Sequence, residues 1–313
     1  MNLKKALILL SIVPLSSCGN NILNRPMYLF STECAVTLYN GQTQDLDNIE
    51  KILTKLDKLS DNFKARDVQN IYKINQTNEE IEVDSDLYNL LKIGDELTKE
   101  FDYFNIYCGG LSNLWKEAIK SRQIPDNSLI EEELNKLKNT SLEFKENNVI
   151  KRVGEGQIDL GAIVKGYALD KTSEYLKEKD IKNYYVTLGG SSNVVGEYLS
   201  CEEFNLHIKN HNNVRFKAKN SYISTSGVEE QHFVKDDVIY SHIVNPITGS
   251  SVCEYTLALV IADKGYISDV LSTAFMMMDI ETIKQTEEKY DVKSIILKGN
   301  EVIYSNPNIE FIK

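Results

Sequence analysis

The chain has 313 residues, and its 35 Lys and Arg against 46 Asp and Glu give a net charge of -11. Hydrophobic residues make up 42% of it, enough to bury a core, so a chain that is disordered throughout is excluded. No basic cluster offsets the acidity, which argues against a nucleic-acid ligand and against attachment to anionic lipid by charge.

The first 18 residues have the layout of an export signal. Lys4 and Lys5 precede an apolar run that is too short to span a bilayer comfortably. The run ends in Leu-Ser-Ser-Cys, which resembles a bacterial lipobox; an ordinary signal peptide with an incidental Cys is the alternative. We predict a signal peptide over residues 1–17, a lipidated Cys18 with a tether to residue 26, and a folded domain over 27–313. The protein would then sit on the periplasmic or extracellular face of the cell membrane.

Four cysteines remain after Cys18, namely Cys34, Cys108, Cys201 and Cys253. Disulfides are possible in an exported protein, but the wide, irregular spacing fits neither a zinc site nor a C-x-x-C redox motif. Buried, unpaired thiols are the preferred interpretation.

Hydrophobic periodicity predicts helices and strands without strict alternation, which indicates the α+β class. Asp84 and Ser85 are candidate N-caps for one of the helices. The predicted elements are, in chain order, a strand at 30–39, helices at 45–59, 84–99, 127–138 and 164–179, strands at 184–188 and 256–262, a helix at 267–278 and a hairpin of 293–298 with 301–304.

The first of three segments that could bind a ligand lies at residues 158–170. Gly161 and Gly166 flank the predicted helix start, where backbone N–H groups favour an anion such as phosphate. Asp159 precedes this turn, and Lys165 lies in the first helical turn. A plain turn with a solvated lysine is the alternative.

The other two segments surround His242 and Asp269. His242 stands next to a tight Asn-Pro and Thr-Gly turn and is a candidate general base, although a lone His is more often structural. Asp269 and Thr273 are four residues apart on one helix face and present a carboxylate and a hydroxyl, oxygen ligands that suit Mg²⁺. Alternatively, Asp269 only complements the helix dipole.

The order and spacing of these segments resemble the ApbE family, the FAD:protein FMN transferases. The family pattern of Asp-Leu-Gly-Gly-Ile-Ala-Lys-Gly-Tyr, Leu-Gly-Gly, His-Ile-x-Asp-Pro-x-Thr-Gly and Asp-x-x-x-Thr is largely matched at residues 159–167, 188–190, 242–249 and 269–273. Weaker matches are Phe30-Ser31-Thr32, Asn75, the 104–115 segment and Thr225-Ser226-Gly227. The resemblance therefore covers the chain from about residue 30 to its C-terminus.

This resemblance implies a single catalytic domain with a T-fold-like core, mixed sheets and packed helices. Such enzymes use Mg²⁺ to cleave the pyrophosphate of FAD and pass FMN to a Thr or Ser of an acceptor protein, typically a membrane electron-transfer subunit, with release of AMP. The implied Mg²⁺ ligands are the Ala162 carbonyl, Asp269 and the Thr273 hydroxyl, with Ser272 nearby, and the implied base is His242. The implied FAD-binding residues are Phe30, Asn62, Tyr103, Phe104, Asn105, Asp159, Lys165 and Ile243.

Several positions depart from the family pattern. The usual Asp, Thr, Pro, Asp and Asp are replaced by Asn105, Tyr107, Gly110, Ser191 and Asn245. At Asn62 the family often has an aromatic residue, and the loss of a stacking ring forgoes about 1 kcal/mol and leaves room for water. Hydrolysis of FAD to FMN and AMP is therefore a second predicted activity; a non-enzymatic FAD-binding lipoprotein and a purely structural lipoprotein are the further alternatives.

Overall fold

The computed structural model describes residues 22–199, 202–208, 210–251 and 253–312, so the predicted signal peptide, Cys18 and Cys201 lie outside the described residues. The helices are α1 (Thr43–Ser60), α2 (Ile71–Ile74), α3 (Ser85–Glu100), α4 (Gly109–Ser121), α5 (Asn127–Lys138), α6 (Val164–Glu178), α7 (Gly265–Phe275) and α8 (Ile280–Tyr290). The strands are β1 (Leu23–Leu29), β2 (Thr32–Leu38), β3 (Glu80–Glu82), β4 (Ser141–Phe144), β5 (Val149–Val153), β6 (Tyr184–Leu188), β7 (Ser192–Val195), β8 (Phe204–Ile208), β9 (His211–Ala218), β10 (Ser221–Gly227), β11 (His232–Lys235), β12 (Val238–Ser241), β13 (Leu257–Ala262), β14 (Lys293–Lys298) and β15 (Glu301–Ser305). None of the helices in these ranges is both long and apolar enough to cross a membrane.

An eight-stranded sheet in the order β1-β2-β6-β7-β10-β13-β14-β15 organises the fold. Because side chains alternate between the two faces of a strand, Leu257 and Leu259 pack against the β8–β9 hairpin, whereas Ala258 and Val260 pack against α7 and α8. The three-stranded sheet β3-β5-β4 and the hairpin β11–β12 form separate sheets. Helices that cover part of an antiparallel sheet define an α+β fold, so the predicted class is confirmed.

All of the predicted helices and strands are present, with boundaries shifted by a few residues. Asp84 caps α3 as predicted, because its carboxylate accepts a hydrogen bond from the backbone N of Asp86 at 2.9 Å. The predicted hairpin near the C-terminus is β14–β15. The sequence does not indicate α4 or α8, since α4 begins with two glycines, which are poor helix formers, and α8 has few apolar residues.

The N-terminal boundary of the domain differs from the prediction. Strand β1 begins at Leu23, so residues 23–26 belong to the sheet and not to the predicted tether. Phe30 and Ser31, predicted to lie in a strand, form the two-residue turn between β1 and β2, with φ of 52° and 59°. Turns with two positive φ values match the twist of paired strands, which is why they close tight hairpins.

Helices α6 and α7 cross with their backbones in contact. A Cβ atom at Gly166 would lie 2.1 Å from the carbonyl oxygen of Gly265, and one at Gly265 would lie 2.2 Å from that of Gly166. Asp170, one turn further along α6, accepts hydrogen bonds from the backbone N of Gly265 at 2.7 Å and of Tyr266 at 2.9 Å. It thereby caps the start of α7, and the two helices are fixed relative to each other.

Gly166→Ala is expected to lower the free energy of unfolding by about 2–3 kcal/mol, because a methyl group at the crossing must push two backbones apart. Denaturant-induced unfolding of variant and wild type measures the change. Gly161→Ala is the matched control, since a Cβ there meets only the Asp159 carboxyl group, at 3.0 Å. A G166A variant as stable as the wild type would show that the helices do not touch at this point.

A buried carboxylate ties α8 to the last two strands. Glu287 is 5% exposed, and its oxygens accept hydrogen bonds from the backbone N of Ser294 at 2.6 Å, the Tyr304 hydroxyl at 2.5 Å and Asn306 Nδ2 at 2.9 Å. Hydrogen bonds to a charged acceptor are stronger than neutral ones, and a buried donor without a partner is costly. This carboxylate is therefore a structural element of the C-terminal part of the fold.

Glu287→Ala is expected to destabilise the protein by about 3 kcal/mol, because it leaves these donors without their acceptor. Thermal and denaturant unfolding are the measurements. Glu288→Ala, which removes the exposed neighbouring carboxylate on the same helix, is the control and should stay within about 0.5 kcal/mol of the wild type. Equal losses in the two variants would mean that helix propensity, and not the buried hydrogen bonds, sets the effect.

Candidate active site

One cleft of about 350 Å³ collects most of the predicted site residues. It is bordered by the β1–β2 turn, the start of α6, one face of α4, one face of α7 and the segment after β12. The predicted residues in its lining are Phe30, Tyr103, Phe104, Asn105, Asp159, Ala162, Lys165, His242, Ile243, Asp269 and Thr273.

Two predicted residues lie outside this lining. Ser272 is fully buried, and its hydroxyl contacts Ser226 Oγ at 2.9 Å and the Asp269 carbonyl at 2.9 Å. It therefore stabilises the positions of Ser226 and Asp269. Asn62 lines a second cleft of about 420 Å³. This second cleft is continuous with the first, since Phe30 is among the residues that line both.

The loop before α6 is held by side-chain hydrogen bonds. Asn75 accepts from the backbone N of Ile158 at 2.8 Å and donates its Nδ2 to the Ile158 carbonyl at 2.9 Å. Asp159 Oδ1 accepts from the Gly161 N–H at 2.8 Å, and its Oδ2 lies 3.4 Å from Lys116 Nζ. These bonds fix the first turn of α6 at the cleft, where the positive end of the helix dipole favours an anion.

Lys165 adds a positive charge beside this turn. Its Nζ donates to Ser191 Oγ at 2.5 Å. Ser191 follows Gly189 and Gly190, whose φ values of 72° and 70° make the tight β6–β7 turn. The partner is a neutral hydroxyl where the resemblance expects an Asp, so this contact leaves the charge of Lys165 available to an anionic ligand.

Asp269 connects α7 to α6 and β7. Its Oδ1 accepts from the Ser192 hydroxyl at 2.8 Å, and its Oδ2 accepts from the Gly166 N–H at 3.0 Å. Gly166 lies in the first turn of α6, where backbone N–H groups have no partner within the helix, so Asp269 supplies one. Ala162 precedes the N-cap Ile163, so its carbonyl lies outside the hydrogen-bond ladder of α6.

His242 forms part of the opposite wall and is half-buried. Its backbone N donates to the Gln231 carbonyl at 3.1 Å, and its Nδ1 lies 3.4 Å from the same oxygen. A proton on Nδ1 suits this contact and leaves Nε2 as the basic nitrogen. Burial lowers the pKa of His242, an effect that the charge of Glu230 opposes, so the ring is neutral at pH 7.

The Asn residues that depart from the family pattern preserve local turns. Asn105 Oδ1 accepts from the backbone N of Tyr107 at 2.8 Å, and Asn245 Oδ1 accepts from that of Ile247 at 2.9 Å. Tyr107 directs its hydroxyl to the buried carboxylate of Asp95, at 2.5 Å, and does not line the cleft. The two Asn replacements therefore keep the turns and remove a carboxylate charge at each position.

Phe63 and Lys116 are among the cleft residues that were not predicted from the sequence. Phe63 is 64% exposed and lines both clefts, with Lys116 Nζ 5.0 Å from its ring centroid. The resemblance expects an aromatic residue at position 62. This chain has Asn62 there and carries the ring one position later, at Phe63. Lys116 shares a face of α4 with Cys108 and Ser112, and this four-residue spacing is the signal that could have identified it.

The three described cysteines, Cys34, Cys108 and Cys253, are free, so the prediction of unpaired thiols is confirmed for them. Burial raises the pKa of Cys108 to about 12. Its thiol is therefore protonated at neutral pH and is not a nucleophile in the cleft.

A comparison with known proteins decides the family. The model of the ApbE family matches residues 30–296. The chain belongs to the ApbE family. It is 29% identical over 188 residues to the FAD:protein FMN transferase of Vibrio cholerae, an alignment that spans 56% of either chain. It is 27% identical over 248 residues to that of Chlamydia muridarum, which spans 75% of this chain and 76% of the relative.

Solved ApbE structures share the fold. The ApbE protein from Thermotoga maritima superposes with a TM-score of 0.80 at 23% identity, over 92% of this chain and 97% of that one. The flavin transferase ApbE from Vibrio cholerae gives a TM-score of 0.73 at 17% identity, over 94% and 100% of the two chains. The predicted single ApbE-type domain is thereby confirmed.

Proposed function

We propose that this member of the ApbE family is a Mg²⁺-dependent FAD:protein FMN transferase. One observation carries the proposal: a single cleft joins the start of α6, the ammonium group of Lys165 on a neutral hydroxyl partner, an oxygen donor set around Asp269 and a neutral imidazole at His242. The names of the curated relatives support the same activity.

The donor set fits Mg²⁺. Ala162, Asp269 and Thr273, which would supply a carbonyl, a carboxylate and a hydroxyl oxygen, all line the cleft. Each oxygen of a carboxylate has about two acceptor positions, so one hydrogen bond apiece leaves Asp269 able to hold a cation. Within the described ranges no three His, Cys, Asp or Glu side chains cluster as a metal site. Mg²⁺ does not need such a cluster, because it usually keeps several waters and binds one or two carboxylates together with substrate phosphates.

Different side chains have different roles in the proposed reaction. Lys165, at the positive end of the α6 dipole, binds and orients the pyrophosphate of FAD. His242 Nε2 takes the proton of the acceptor hydroxyl. As it does so, the hydroxyl oxygen bonds to the phosphorus of the FMN half of FAD, and the bond from that phosphorus to the AMP phosphate breaks. Mg²⁺, when bound, offsets the negative charge that develops on the departing AMP.

The test is incubation of the soluble domain with FAD, Mg²⁺ and a Thr-containing acceptor domain of an electron-transfer subunit. The expected result is a mass increase of the acceptor by one FMN and an equal amount of AMP, both abolished by EDTA. Tight FAD binding without AMP would overturn the proposal and indicate a flavin-binding lipoprotein.

Hydrolysis of FAD, the second predicted activity, remains the competing reaction, although Phe63 supplies at both clefts the ring that Asn62 lacks. It requires a water in place of the acceptor hydroxyl. Release of AMP at the same rate with and without the acceptor domain, and no mass increase, would identify a pyrophosphatase.

We also propose that the protein is exported and anchored by a lipid on Cys18. The support is the sequence of residues 1–18, a positive start and an apolar run before Leu-Ser-Ser-Cys. Cells fed a labelled fatty acid should label the wild type and not Cys18→Ser. A wild type that stays unlabelled in the soluble fraction would overturn the proposal.

A further inference from the structure

Glu230 adds an uncommitted carboxylate to the cleft that contains His242. The charged side chains among the described residues that line this cleft are Lys116, Asp159, Lys165, Glu230 and Asp269. The carboxylates of Asp159 and Asp269 already accept hydrogen bonds within the fold. No residue in the part of the chain that the structure describes forms an ion pair or a hydrogen bond with the Glu230 carboxylate. Its charge is therefore available to the groups that border the cleft.

The residue after Glu230 orients the imidazole of His242. The Gln231 carbonyl accepts from the backbone N of His242 at 3.1 Å and lies 3.4 Å from Nδ1. His232 pairs with Ser241, the residue before His242, so the register of the β11–β12 hairpin fixes this contact. Glu230 is thus one residue away from the group that orients the proposed base, and both side chains border the same cleft.

The charges around the imidazole have opposing effects. Burial lowers the pKa of His242, and the ammonium groups of Lys165 and Lys116 lower this pKa further. The charge of Glu230 acts in the opposite direction and raises the pKa of His242. Because two ammonium groups disfavour a cation at His242, a negative charge in the same cleft favours the step in which the imidazole accepts a proton.

We propose that Glu230 is a positioning residue for His242: its carboxylate stabilises the imidazolium that forms when Nε2 takes the proton of the acceptor hydroxyl. The inference rests on the proposed function, in which that hydroxyl is the nucleophile. In this step the O–H bond breaks and an N–H bond forms at Nε2. His242 then carries one positive charge until the proton passes to water or to the released AMP phosphate. A carboxylate that favours the charged form makes the neutral imidazole a stronger base for this transfer.

The test is Glu230→Gln, which removes the charge and keeps the length of the side chain. Exposed charges interact weakly, so the acid limb of the kcat–pH profile should move to lower pH by about half a unit, and kcat near pH 8 should fall about threefold. KM for the acceptor domain should not change. In about 1 M salt the screening length falls to about 3 Å, so the difference between variant and wild type should shrink.

Glu229→Gln is the matched control, since Glu229 is the exposed neighbour of Glu230 and lies outside the cleft lining. It should keep the wild-type kcat and the wild-type acid limb. Glu230→Asp, which retains the charge, should keep the acid limb close to its wild-type position. The midpoint of the acid limb does not depend on the amount of folded enzyme, so the test holds even if E230Q is less stable than the wild type.

The outcomes separate the two proposals. An E230Q enzyme with the wild-type kcat and acid limb would overturn the role of Glu230 and leave the transferase intact. A higher KM for the acceptor domain with an unmoved acid limb would assign Glu230 to acceptor binding and equally overturn the inference. A wild type that transfers no FMN would overturn the proposed function and, with it, the role of Glu230.

Discussion

Asp269→Asn is expected to lower the rate of FMN transfer about a hundredfold to a thousandfold, because it removes the only carboxylate of the proposed Mg²⁺ donor set. Asn still offers one oxygen to the Gly166 N–H or the Ser192 hydroxyl, so the contact between α6 and α7 should persist. The measurement is the transfer rate over a Mg²⁺ titration, in which the half-saturating concentration should also rise. Denaturant unfolding checks that the fold is retained.

Asp263→Asn is the matched control for this variant. Asp263 is exposed and lies just before α7, so its replacement removes the same charge near the same helix without touching the cleft. A D269N enzyme with the wild-type rate at every Mg²⁺ concentration would show that the metal, if it acts at all, binds elsewhere.

His242→Gln should reduce transfer by about a thousandfold while FAD still binds, since Gln cannot take the proton of the acceptor hydroxyl. The transfer rate of the wild type should depend on pH through the titration of the same imidazole. Burial disfavours the charged imidazolium, so the pKa of His242 lies below its ordinary value of 6.5. The rate should therefore be constant near neutrality and fall as the pH drops through this lowered pKa.

His232→Gln provides the control for the histidine prediction. His232 is exposed in β11 and pairs with Ser241, the residue before His242, so the variant changes a histidine in the same hairpin. It should keep both the wild-type rate and the acid limb of the pH profile. An acid limb that survives in H242Q would assign that titration to another group.

The long helices could be predicted from the sequence because the periodic spacing of their apolar residues is recognisable without knowledge of the fold. The central strand β10 could not, since its sequence Ser-Tyr-Ile-Ser-Thr-Ser-Gly has the composition of a loop. Its polarity has a structural cause. Ser224 pairs with Ser268 at 2.8 Å and Ser226 with Ser272 at 2.9 Å, so hydroxyl pairs replace bulky side chains where α7 lies on the sheet.

The same distinction applies to the cleft. Asp159, His242 and Asp269 are recognisable because each belongs to a local motif, and the fold only has to bring the motifs together. Phe63 depends on a loop that Asp61 organises through the backbone N of Phe63 at 2.9 Å and Arg66 Nε at 2.6 Å. Nothing in the local sequence indicates that this loop faces α6, so its contribution is visible only in three dimensions.

The contact between Gly166 and Gly265 has a consequence for how such a protein can diversify. The crossing of α6 and α7 admits not even one added carbon, so mutation can hardly alter the spacing between the groups carried by the two helices. Exposed positions outside the cleft lining, such as Val302 and Ile303 of β15, are free to vary. Libraries that randomise Val302 and Ile303 should therefore yield mostly active enzymes, whereas libraries at the helix crossing should yield mostly inactive ones.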